Sequence, residues 1–158
     1  MVDLLNTFRE GMTLRVRDIM VTRVYALKET DTLDVFRFMV ESRRVRHAPV
    51  VNDEAEVVGL LTHRDLLATS VSTLAEIDGD EQWALLKAIS VADVMKTPVT
   101  TIEPDAALEV AAAIMLERKY GCLPVVSDGK LVGIVTESDF VRLTLRLLQV
   151  ARVRVGAR

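Results

Sequence analysis

The feature that most constrains this chain is that it repeats itself. Val16-Arg17-Asp18-Ile19-Met20 returns as Val91-Ala92-Asp93-Val94-Met95. The same offset of 75 residues carries Leu33 onto Leu108, Val35 onto Val110 and Pro49-Val50-Val51 onto Pro124-Val125-Val126. After a one-residue deletion in the second copy, Gly59-Leu60-Leu61-Thr62-His63-Arg64-Asp65 aligns with Gly133-Ile134-Val135-Thr136-Glu137-Ser138-Asp139. Two copies of one unit thus fill most of the chain, and a tandem duplication is expected to pack as a pseudo-two-fold pair whose functional surface lies between the halves.

Each copy has one rhythm. A turn of helix at the Asp-x-Met segment leads to a short extended piece, Val24–Leu27 or Val99–Ile102, rich in the residue types that favour strands. A helix follows, opening at Thr30 or Asp31 in the first copy and behind Pro104-Asp105 in the second, where Asp is suited to capping. Two strands joined by a polar turn come next: His47–Val51 with Val57–Leu61, then Cys122–Val126 with Leu131–Val135. A last helix begins near His63 or Glu137. The order helix-strand-helix-strand-strand-helix, twice, predicts an α+β fold of small sheets covered by helices. It divides the chain into an N-terminal extension (1–15), a first repeat (16–68), a linker (69–90), a second repeat (91–150) and a basic C-terminal tail (151–158).

Within the linker, residues 80–89 read as an amphipathic helix with an acidic start and with Trp83, Leu86 and Ile89 at helical spacing. That stripe suits packing on the chain's own core; the alternative is docking of a partner. Two further helices are apolar on more than one face. Residues 106–116 are interrupted only by Glu109, and residues 141–150 keep Arg142, Arg146 and Gln149 on one stripe. A second copy of the chain is the economical cover, so a homodimer is expected; the other repeat covering both faces is the alternative.

Several function classes fall away on composition. Half of the 158 residues are hydrophobic, enough for a real core, and the net charge is only −3, so no global positive field draws nucleic acid or an anionic membrane. Five arginines and no acidic residue follow Phe140, but without aromatic interleaving or a helix-turn-helix pattern these read as a solvated tail rather than a nucleic-acid surface. The single Cys122 excludes an internal disulfide and fits the cytoplasm, and with two histidines it does not make a standard zinc site. Neither a membrane-length apolar run nor a signal-like start is present. No triad, metal cluster or Gly-rich phosphate loop offers catalytic machinery, so an enzyme is not expected and no cofactor is required.

The Asp-x-Met segment, the Pro-Val-Val strand and Gly-x-x-Thr-x-x-Asp, recurring in the same order, resemble a pair of cystathionine-β-synthase (CBS) domains, a Bateman module. The resemblance runs from about Val16 to about Leu148. It implies that AMP, ADP, ATP, S-adenosylmethionine or a related adenosyl compound binds in clefts between the halves, with the Asp of Thr-x-x-Asp on the ribose hydroxyls and the Thr near the phosphates. Carried over, these are Thr62 and Asp65 in a first site and Thr136 and Asp139 in a second. A carboxylate can accept two hydrogen bonds from a cis-diol, and a hydroxyl at a helix N-terminus sits where N–H groups attract phosphate. The same two residues would also serve to cap the last helix.

Related modules place phosphate contacts just before the Pro, which here selects Arg46 and His47; Gly121 and Cys122 stand opposite them. The Asp65 site is therefore expected to prefer a phosphorylated ligand, and the Asp139 site to be weaker, empty or suited to an uncharged one. Adenine is expected near backbone groups of Thr22, Val24 and Ala26 and of Thr97, Val99 and Thr101. The reading is of a stand-alone cytoplasmic regulatory module that signals ligand binding to a separate, unidentified partner. The alternative is a structural dimerising adaptor whose sites are vestigial.

Overall fold

The structure, a computed structural model, describes residues 13–73 and 79–155. Most of the N-terminal extension, the middle of the linker and residues 156–158 of the C-terminal tail lie outside these residues. A 3-10 turn (Val16–Asp18) opens the described chain, followed by β1 (Leu27–Lys28), α1 (Leu33–Arg43), β2 (His47–Val51), β3 (Val57–Thr62) and α2 (His63–Thr73). The linker helix is α3 (Gly79–Ala88). The second copy contributes α4 (Val91–Val94), α5 (Leu108–Arg118), β4 (Cys122–Ser127), β5 (Lys130–Thr136) and α6 (Glu137–Val155). The fold is α+β, as the sequence predicts.

The differences lie at element edges. The first strand is shorter and later than expected, only Leu27–Lys28, and its counterpart in the second copy is the single parallel bridge of Ile102 to Val125. The expected helix caps are occupied elsewhere. Asp31 Oδ2 accepts from the Lys28 amide at 2.8 Å, and Asp105 pairs with Arg17, so Thr32 and Ala107 become the residues that precede α1 and α5. Both helices end on a left-handed residue, Arg44 (φ 55°) and Lys119 (φ 56°), at equivalent places in the two copies. The last helix runs to Val155, so residues 151–155 continue α6 rather than forming a separate tail.

In the first copy β1 pairs parallel with β2, and β2 pairs antiparallel with β3, placing His47 opposite Thr62 and Val50 opposite Gly59. Asn52 organises the connecting turn, its Oδ1 accepting the amides of Glu54 and Glu56. In the second copy Asp128 and Gly129 both take positive φ, the requirement of the two-residue turn that matches the twist of paired strands.

Two compact units result, and they are divided differently from the sequence repeat. Of the described residues, one takes in those up to Thr22, Thr101–Ser127 and those from Val132 on; the other takes in those between Arg23 and Thr100 and Asp128–Leu131. The first is built on Leu14, Val16, Ile102, Leu108, Ala111, Met115, Leu123, Val125 and Val135. The second is built on Leu27, Leu33, Phe36, Ala48, Val50, Leu61, Leu66, Leu86 and Val91. Val16 therefore lies in the core of the second copy's strands, and Val91 in the core of the first copy's. Each unit exchanges its Asp-x-Met segment for the other copy's. Equivalent amides hold the exchange: Val16 N–H donates to Ala106 O at 3.0 Å, and Val91 N–H to Asp31 O at 2.8 Å. Helix α3 joins the second unit through Leu86, which is buried, and Ile89 packs on the same core, while Trp83 is half-buried with the Arg37 guanidinium 4.9 Å over its ring.

Candidate ligand-binding sites

The exchange explains the glycine of Gly-x-x-Thr-x-x-Asp. A Cβ on Gly59 would overlap the Met95 sulfur, and one on Gly133 would stand 2.8 Å from Met20 Sδ and 3.2 Å from the Val21 carbonyl oxygen. The methionine of each Asp-x-Met segment thus rests on the bare backbone of the other copy's strand. The next residue fixes the register. Lys96 exchanges two backbone hydrogen bonds with Leu60 (2.9 and 3.1 Å), and Val21 exchanges two with Ile134 (both 2.9 Å). Each pairing falls two residues before the motif's threonine.

At the ends of β3 and β5 the two Thr-x-x-Asp groups have one skeleton. Thr62 donates to Asp65 Oδ2 from its amide (2.9 Å) and its hydroxyl (2.5 Å), and Thr136 does the same to Asp139 Oδ2 (2.8 and 2.6 Å). The Asp65 amide also donates to Thr62 Oγ1 at 3.4 Å, which completes a reciprocal cap at the start of α2. The capping role expected of these residues is therefore present. Capping uses one carboxylate oxygen in each site and leaves the other, Oδ1, for a second partner.

That partner is a cation in both sites, from positions that do not correspond. Lys96 Nζ lies 2.7 Å from Asp65 Oδ1, whereas Arg142 Nη2 donates to Asp139 Oδ1 at 2.8 Å from one turn further along the same helix. The repeat places Val21 at the equivalent of Lys96 and Ala68 at the equivalent of Arg142. Both carboxylates are sheltered, with side-chain exposures of 11% for Asp65 and 4% for Asp139, while Lys96 and Arg142 remain largely in solvent. Burial pushes the Asp65 carboxyl up. The Lys96 hydrogen bond, the two from Thr62 and the Lys96 charge outweigh it, so the group titrates below its ordinary value and is ionised at neutral pH.

Of the other expected residues, Arg46 and His47 are brought to Asp65: His47 pairs with Thr62 across the sheet, and the His63 amide donates to the Arg46 carbonyl at 2.9 Å. Arg46 is exposed and follows the left-handed end of α1, where a cation also complements the helix C-terminus. The adenine segments divide between the two units. Thr97, the neighbour of Lys96, belongs with Asp65, and Thr22, the neighbour of Val21, belongs with Asp139. Val24, Ala26 and Val99 lie in the unit of Asp65, and Thr101 in the unit of Asp139. A cavity of about 230 Å³ opens at Asp139, lined by Asp18, Ile19, Val21, Arg142, Leu143 and Arg146. Lys96, Arg142 and Arg146 were not singled out as site residues from the sequence. The signal for Lys96 was its place directly after the Asp-x-Met segment; that for the arginines was their stripe on α6.

Cys122 is buried in β4, and its thiol is pushed up to about 12 by that burial and by Glu137, so it is a core residue and no nucleophile. Among the described residues no group of three His, Cys, Asp or Glu side chains could hold a metal ion, and no helix is long and apolar enough to cross a membrane.

The CBS domain model matches residues 16–72 and again 91–146. The chloroplastic CBS domain-containing protein CBSX1 of Arabidopsis thaliana is 34% identical over 144 residues, covering 78% of this chain and 60% of that protein. The chain spans 42% and 60% of the first two curated relatives it matches. Among solved structures, the acetoin utilization protein AcuB of Vibrio cholerae is similar with a TM-score of 0.75 and 34% identity, over 89% of this chain and 97% of that one. CBSX2 of Arabidopsis thaliana, solved in complex with AMP, gives a TM-score of 0.70 and 29% identity over 84% of this chain and 97% of its own. With the model matched twice, over segments that carry both Asp-x-Met and both Gly-x-x-Thr-x-x-Asp motifs, the chain belongs to the CBS domain family as a tandem pair.

Proposed function

We propose that this chain is a regulatory module that binds an adenine nucleotide or other adenosyl ligand at Asp65 and Asp139 and signals its presence to a separate protein. The carrying observation is the pair of sheltered carboxylates, each set at the start of a helix by its threonine, with one oxygen held by a largely exposed cation. An ionised carboxylate in this position can accept the hydroxyls of a ribose, and the AMP complex of CBSX2 supports the choice of ligand class. Regulation follows if the ligand binds one arrangement of the segments around Met20 and Met95 more tightly than another, because a partner can then read the difference. The module works as a cytoplasmic homodimer. Val110 and Leu116 on α5 and Val141, Leu145 and Leu148 on α6 stand exposed, Leu116 at 80%, and a second copy is the cover for such apolar rows.

A second reading has its own support. Because Lys96 and Arg142 already occupy the outward oxygens, the two groups could serve as caps alone, leaving a dimerising adaptor with vestigial sites. Isothermal titration with AMP, ADP, ATP and S-adenosylmethionine separates the two. Saturable binding that disappears in Asp65→Ala or Asp139→Ala establishes the sensor and its working site. Absence of binding to all four, with the chain still dimeric in sedimentation, establishes the adaptor.

A further inference from the structure

We propose that Lys96 and Arg142 are the residues that select a phosphorylated ligand, each holding its aspartate until ribose takes its place and then turning to the phosphate. The inference rests on the reading that Asp65 and Asp139 accept ribose hydroxyls. A duplication hands both copies the same Thr-Asp skeleton, and Oδ2 is indeed held identically in both. Oδ1 is held by a cation in both as well, yet one cation comes from the segment after Met95 and the other from within α6, where the opposite copy has Val21 and Ala68. The same atom has acquired a cation from two unrelated positions, which points to a requirement of the site and not to inheritance.

The chemistry of the exchange is simple competition. A cis-diol needs Oδ1, and binding there removes the cation's partner. Lys96 and Arg142 are each about two-thirds exposed and carried on long flexible stems, so the heads can swing to a new anion without moving the backbone. A ligand with a phosphate supplies that anion, and a bare nucleoside does not. At Asp139 a second arginine, Arg146, lines the same cavity, together with Asp18, one of whose oxygens is already taken by the Arg15 amide. The site lacking Arg46 and His47 thus has its own pair of arginines, and the proposal extends phosphate selection to both sites.

The test is titration of the full chain with AMP and with adenosine, in wild type and in Lys96→Met, Lys96→Arg and Arg142→Met, read as the ratio of the two affinities. Since both side chains are largely exposed, these variants keep the fold, which a thermal melt checks. The expected result is that Lys96→Met weakens AMP about tenfold at one site while adenosine binds more tightly, with Lys96→Arg restoring the ratio and Arg142→Met doing at the other site what Lys96→Met does at the first. An unchanged ratio in both Met variants, or equal loss of both ligands, overturns the proposal while leaving the adenosyl reading standing. No binding of either compound by wild type overturns that reading and the proposal with it.

Discussion

The Asp65 and Asp139 sites are copies with one skeleton and different charge. Their threonines, their sheltered carboxylates, the glycine three residues before each threonine and the methionine resting on it all correspond. The surroundings do not. Asp65 is flanked by Lys96, whose backbone pairs with Leu60 of β3, and by Arg46 and His47 at the start of β2; Asp139 has Gly121 and Cys122 at the start of β4 and its cation comes from α6. The backbone of a duplicated site is tied to packing and cannot drift, whereas exposed side chains around it can be supplied from any nearby element. Two sites in one chain can therefore diverge in ligand preference without any change in the motif that identifies them.

The cores differ at corresponding places too, and the largest expected effect breaks that comparison. Phe36 on α1 and Ala111 on α5 are equivalent and both wholly buried. Phe36→Ala is expected to cost about 3–5 kcal/mol by denaturant unfolding, because the cavity cannot close fully. Ala111→Phe is expected to cost about 1–3 kcal/mol by overpacking. If the two changes prove harmless together, the cores are interchangeable and the comparison fails.

Next in size is the glycine contact. Gly59→Ala is expected to destabilise by about 1–3 kcal/mol, with Met95→Ala relieving most of the strain in the double variant, since all three nearest atoms belong to the Met95 side chain. At Gly133 the Val21 carbonyl also stands in the way, so Met20→Ala should relieve Gly133→Ala less completely. Equal relief at both sites would show that the backbone contact does not matter.

A smaller effect is the pH dependence contributed by Asp65. Its folded-state value is lowered, so the stabilisation is present above the ordinary value of 3.8 and is lost as pH falls through the lower folded value. Melting of wild type and Asp65→Asn at a series of acidic pH values should show the gap between them closing over that window. In Lys96→Met the window should narrow, because the main opposing influence on burial is gone.

The smallest is chemical. A thiol at about 12 inside β4 should react with a thiol reagent only as fast as the unit opens, and denaturation should release it at once.

Much of this architecture was legible in the chain. The hairpins declare themselves through Asn52 and through Asp128-Gly129, and the linker helix through the spacing of Trp83, Leu86 and Ile89, because turns and helical stripes are local properties. The Thr-x-x-Asp groups were legible for the same reason, being a strand end followed by the first turn of a helix. The exchange of Asp-x-Met segments was not, since it depends on pairings such as Lys96 with Leu60 and Val21 with Ile134 that join residues 36 and 113 positions apart. With the exchange hidden in the sequence, nothing local marks Lys96 as a neighbour of Asp65. The caps of α1 and α5 differ from the expectation, Asp31 accepting the Lys28 amide and Asp105 pairing with Arg17.

The most direct test of the account is a crystal structure of the chain grown with AMP. It predicts ribose hydroxyls on Oδ1 of Asp65 or Asp139, with the Lys96 ammonium or the Arg142 guanidinium moved from the carboxylate to the phosphate. AMP bound elsewhere, with both carboxylate–cation pairs intact, would contradict it.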